Sequence, residues 1–136
     1  MATLSSGLAD VITDGEDLAR FLTHRNKFAA LMAKPAAFLP APKDRETLVS
    51  RHGREPLERL WGIGLIAAGD CNLYGAAIFK ASAVRSAKLE VMPDEPPPRH
   101  AVIRGWPWID VDPDLQKAKQ KECATLIASQ AALVIR

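Results

Sequence analysis

The apolar positions of this chain fall in short runs cut by prolines and glycines, and their period switches between helix and strand. Residues 1–13 are mostly small and polar, with Leu8, Val11 and Ile12 as anchors, and read as a loosely ordered arm before a single domain over 14–136. Asp14 is a helix-capping residue, and Glu16 and Asp17 follow where acids favour a helix start. Leu18, Phe21 and Leu22 then recur at helical spacing. The pattern predicts an N-terminal helix, resumed by Phe28, Leu31 and Met32 and stopped by Pro35. "KPAAFLPAPKD" predicts an extended connection with Phe38 and Leu39 facing inward.

"RETLVSRH" alternates. It predicts a strand with Thr47, Val49 and Arg51 on one face, Leu48, Ser50 and His52 on the other, and Gly53 at its end. Pro56 opens a helix whose apolar positions are Leu57, Leu60, Trp61 and Leu65, with Gly69 at its end. Gly62 and Gly64 weaken that helix and point to a close neighbour. Ala76–Phe79 and Leu89–Met92 read as strands around one helical turn capped by Ser82. Pro96, Pro97 and Pro98 predict a stiff polyproline II lead-in to a strand with His100, Val102, Arg104 and Trp106 on one face. Asp112 caps a final helix with Pro113 at its first position, and Cys123, Leu126, Ile127, Leu133 and Val134 form its apolar stripe. Strands interleaved with helices imply an α+β domain. Its small, mostly antiparallel sheet packs with an N-terminal, a middle and a long C-terminal helix.

Composition changes this picture little. The 136 residues are ordinary for a globular domain, and a formal net charge of +2 implies no strongly charged partner. Cys71 and Cys123 are far apart and form no ligand motif, which fits thiols of a reducing cytoplasm. The first residues lack the pattern of a secretory signal, and no apolar run approaches the ~20 residues that span a bilayer. A cytoplasmic protein without membrane contact is expected. The Gly-rich phosphate loop, Cys-x-x-Cys, His-Glu-x-x-His and Gly-x-Ser-x-Gly patterns are all missing. The spacing of the three histidines supports no metal site, and no cofactor is expected.

The candidate chemistry gathers near "DEPPPRHAVIRGWPW". His100 lies where the prolines meet a strand, which suits a general acid or base and equally a structural hydrogen bond. Arg99 and Arg104 flank it as anion ligands, and Arg51 joins them if the two strands are neighbours. Lys27, in the basic stretch "THRNK", is a further phosphate contact or an ordinary helix-end charge. Trp106 and Trp108 surround Pro107 and suit a rigid anchor for a protein partner or a platform for an unpaired base.

The runs "KPAAFLP", Glu46-Thr47-x-Val49-x-Arg51 and "PDEPPPRHAVIRGWP" resemble a family of short uncharacterised bacterial proteins. That family reads Lys-Pro-x-Ala-Phe-x-Pro, Glu-Thr-Ser-Val-x-Arg and Pro-Pro-x-His-Ala-x-Ile-x-Gly-Trp-Pro. The resemblance covers roughly residues 20–135 and implies a setting among mobile elements and bacterial conflict loci, with no assigned activity. Lys27 stands where the family has a histidine, and Leu48 where it has a serine. Both departures speak against retained catalysis. Three readings follow. The first is a non-enzymatic accessory or interaction protein of a bacterial multi-component system. The second is a metal-independent phosphoester or RNA-directed enzyme using His100 with Arg51 and Arg104, and the third is a nucleic-acid-binding protein.

Overall fold

A computed structural model describes residues 2–52 and 55–136; Gly53, the expected strand end, lies outside them. Six strands form one antiparallel sheet: β1 (Asp17–Leu22), β2 (Thr47–Arg51), β3 (Gly75–Lys80), β4 (Glu90–Pro93), β5 (His100–Arg104) and β6 (Ala132–Ile135). Their order across the sheet is β4-β5-β2-β1-β3-β6. Three helices accompany it: α1 (Leu57–Ala68), α2 (Ala81–Ser86) and α3 (Pro113–Ala128). The α+β class and the antiparallel sheet agree with the expectation from the sequence. No helix among the described residues is long and apolar enough to cross a membrane.

The main core lies on one face of the sheet. There Leu18, Val49, Phe79 and Ile103 pack with Val84 of α2 and Ala124 and Ile127 of α3. Phe38 meets Phe79 edge-on, with ring centroids 5.5 Å apart, a favoured aromatic geometry. The opposite face is covered only in part, by α1, whose Leu60 packs with Ala19 and Ala76. Gly64 permits that close approach, since a Cβ there would stand 2.6 Å from the Phe21 ring, whereas a Cβ at Gly62 would meet open space. The close neighbour expected from these glycines is therefore real at one of them.

The N-terminal helix is replaced by β1, and the reason is visible in its neighbours. β1 sits between β2 and β3 with both faces packed, so Leu18 and Leu22 serve one core while Ala19 and Phe21 serve the other. A strand buried on both faces loses its alternation and mimics helical spacing. The three acids that suggested a helix start pair instead with remote cations: Asp14 with Arg85, Glu16 with Arg51 and Asp17 with Lys80. Beyond β1, Phe28 bridges Ala33, and Leu31 is exposed at the tip between them. Pro35–Phe38 forms a 3-10 turn where an extended segment was expected; it buries Phe38 but leaves Leu39 exposed.

The C-terminal stripe also divides. α3 begins as expected, with the Asp112 carboxylate accepting from the Leu115 amide at 3.0 Å. It ends at Ala128, and Leu133 and Val134 belong to β6, paired on β3. Gly75 makes room, because a Cβ there would overlap the Val134 carbonyl. The proline run lies in a tight connection between β4 and β5 where an extended lead-in was expected. Pro93 pairs with Ala101 across β4 and β5, so residues 94–100 must reverse the chain.

Candidate functional site

The half-covered face of the sheet creates a groove. α1 covers β1 and β3, and the strip of sheet beyond, on β2 and β5, forms a floor against which the side of α1 makes a wall. The cavity volume is about 650 Å³. Ile63, Ile66 and Ala67 line the helical wall, Leu48 and Ser50 the floor, and Pro97 and Pro98 the end nearest the β4–β5 connection. The groove is open to water: Ile66 on the wall is 81% and Leu48 on the floor 45% exposed. The polar lining includes Arg59, Arg99 and His100, and among the described residues no acidic residue contributes to it.

His100 lies in this groove, and its position is fixed mainly by backbone. Its amide donates to the Pro97 carbonyl at 3.1 Å, and its ring Nδ1 lies 3.0 Å from the Asp94 carbonyl. A carbonyl only accepts, so Nδ1 carries the proton in that bond and Nε2 of the neutral ring is left as an acceptor. Among the described residues Nε2 has no hydrogen-bond partner.

The expected cluster of Arg51, His100 and Arg104 does not form. β2 and β5 are neighbours, as the cluster required, but His100 pairs with Ser50. That register puts Arg51 one residue out of phase and on the other face. There Arg51 is 1% exposed. Its Nε and Nη2 donate to the two Glu16 oxygens, the latter at 2.7 Å, and its Nη1 donates to the Ala9 carbonyl. Every nitrogen of its fork is engaged with protein. Arg104 shares the His100 face, but Nε and Nη2 both donate to Glu46.

Arg99 borders the groove as a strut. Its Nη1 donates to the His52 carbonyl at 3.1 Å and its Nη2 to Glu55, tying the β4–β5 connection to the segment after β2. Lys27 lies in a 3-10 turn at Arg25–Lys27 and does not line the groove. Trp106 is 6% exposed and part of the main core, so it presents no surface to a partner. Trp108 is half-buried with the Arg45 guanidinium 4.6 Å above its ring. Among the described residues no group of three His, Cys, Asp or Glu side chains could hold a metal ion.

One arginine had no place among the candidates, and its register with Ala77 sets it on the main-core face of β1 with Leu18 and Leu22. Arg20 sits in the middle of β1, where its Nε donates to the Ala37 carbonyl and its Nη1 to the Leu48 carbonyl, both at 2.8 Å. Burial lowers its pKa from the ordinary arginine value. The sequence signal is a lone arginine inside the apolar run "LARFL". Its distinction depends on what surrounds it, because no carboxylate among the described residues lies within 4 Å.

The chain matches no family model, no curated protein and no solved structure.

Proposed function

We propose that the protein works by binding and not by catalysis. It is an interaction protein of a bacterial multi-component system, and the α1–sheet groove receives an apolar segment of a protein partner. The observation that carries this reading is the groove itself, an apolar trough of about 650 Å³ with Ile66 exposed on its wall and Leu48 on its floor. Its openness favours a peptide segment over a small molecule, which a typical pocket buries on most sides. Its cationic lining, without an acid among the described residues, favours a segment that is not itself basic.

The catalytic reading has less support. It needs Arg51 beside His100, and Arg51 is engaged by Glu16 on the opposite face. The nucleic-acid reading needs open aromatic faces, but Trp106 is buried and Trp108 is covered by Arg45.

The test is selection of a random heptapeptide library, displayed on phage, against the full chain. Apolar heptapeptides should be enriched. Ile66→Glu and Leu48→Glu alter exposed side chains and should abolish their binding while the melting temperature stays within a few degrees. Failure to enrich any sequence, or undiminished binding by both variants, would refute the groove as a docking surface.

A further inference from the structure

The two edges of the sheet, β4 on one side and β6 on the other, are built differently. In an antiparallel ladder, alternate residues turn their N–H and C=O to the neighbouring strand, and the residues between turn theirs to the free edge. The Asp94 amide donates to the His100 carbonyl, so Met92 and Glu90 also face β5, while Val91 and Pro93 face outward. Neither outward residue offers a donor. The Val91 amide is taken by the Glu90 carboxylate at 2.9 Å, and Pro93 has no N–H. That edge is closed to a further strand. On β6 the Arg136 amide donates to the Tyr74 carbonyl, so Val134 and Ala132 face β3, while Leu133 and Ile135 face outward. Their amides and carbonyls have no hydrogen-bond partner among the described residues. β6 carries no charge, proline or glycine, and Ile135 is 55% exposed. An apolar edge with unpaired main-chain groups is a template for another strand.

We propose that β6 pairs antiparallel with β6 of a second copy of this chain, about a two-fold axis beside Val134. In that register the Leu133 amide donates to the Ile135 carbonyl of the second copy, and the Ile135 amide to its Leu133 carbonyl. The symmetry repeats both bonds, so every outward donor of β6 meets an outward acceptor. Leu133 lies beside Ile135 of the other copy on the main-core face, and the two Val134 side chains meet on the opposite face. No charge is buried at the join. A foreign strand needs a matching sequence from elsewhere, whereas β6 supplies its own complement. The closed β4 edge fits this occupant too. With two open edges, copies would add without limit; with one edge shut, the assembly closes at two. The groove over β2 and β5 plays no part in this pairing.

Sedimentation equilibrium of the full chain tests the stoichiometry. Concentrations from about 10 μM to about 1 mM bracket the affinity of a small interface, and they should show monomer and dimer with no larger species. Amide exchange followed by NMR over the same range locates the contact. The Leu133 and Ile135 amides should exchange at least about tenfold more slowly in the dimer, while the Val91 amide of the closed edge keeps its rate. Ile135→Pro removes an outward N–H at an edge position where proline is tolerated, and should weaken association at least about tenfold. Ile135→Lys places a charge on the same edge and should act in the same direction. The exchange measurement needs no variant, so an unfolded Ile135→Pro cannot blur the result. A monomer at every concentration would overturn the proposal. So would a dimer whose Leu133 and Ile135 amides exchange as fast as in the monomer, or one that both variants form undiminished. Protection of those two amides by an added apolar peptide, but never by concentration, would assign the edge to a foreign strand and overturn the second copy.

Discussion

Arg51 and His100 lie on adjacent strands and point to opposite faces of the sheet, because Ser50 is the residue paired with His100. A single step of register therefore separates a basic cluster from the arrangement the protein has. Arg51 instead holds the main core side of the sheet to the N-terminal segment through Glu16 and Ala9. Removing one partner of a buried pair leaves the other charge uncompensated, so Glu16→Gln should cost about 3 kcal/mol. His100→Ala removes one hydrogen bond to a carbonyl and should cost about 1 kcal/mol. Urea unfolding of the two variants checks the contrast, and equal losses would show that Arg51 is not the anchor.

Trp106 and Trp108 should behave oppositely to surface anchors. Trp106 is a core side chain, and Trp106→Ala should lower stability by about 3–5 kcal/mol. Trp108→Ala loses a cation–π contact with Arg45 and some partly buried surface, and should cost roughly 1–2 kcal/mol. Thermal denaturation orders the two, and a more damaging Trp108 change would contradict the placement of Trp106.

The two glycines of α1 give a paired test. Gly64→Ala places a methyl against the Phe21 ring and Leu73, and overpacking of this kind costs about 1–3 kcal/mol. Gly62→Ala meets nothing and should stabilise the helix by about 0.5–1 kcal/mol. Chemical denaturation midpoints moving in the same direction would mean that α1 does not lie on Phe21 as described.

Glu95 should couple the N-terminal segment to pH. Burial pushes its carboxyl upward, but hydrogen bonds from the Ser6 hydroxyl, the Arg99 and Ser6 amides and the Ser5 hydroxyl together outweigh this and lower its pKa. Because the folded value lies below the unfolded one, its contribution is fully present above the ordinary glutamate range near about 4.3 and is lost as pH falls through the folded value. Exchange of the Ser6 amide should therefore accelerate, beyond its intrinsic pH dependence, only below that range. Glu95→Gln should remove the extra pH dependence. A Ser6 amide equally protected at pH 3 and pH 7 would contradict the tie.

Much of the local structure is legible in the residues themselves. Asp112 and Pro113 start α3, Pro56 and Gly69 bracket α1, and the alternation from Thr47 to Arg51 gives the faces of β2 correctly. These are decided by backbone chemistry within a few residues. β1 was not legible, because Leu18, Phe21 and Leu22 satisfy a helical stripe and a doubly covered strand alike.

Sequence by itself determined an α+β chain, the strands β2 to β5, the starts of α1 and α3, and the presence of a basic residue set around His100. Tertiary structure alone decided which of those residues meet. The register of β2 on β5 turns Arg51 away, carboxylates from distant segments engage Arg51, Arg99 and Arg104, and Arg20 has none among the described residues. The physical reason is that a charge acquires its role from its neighbours in space, and those neighbours are set by strand pairing across tens of residues.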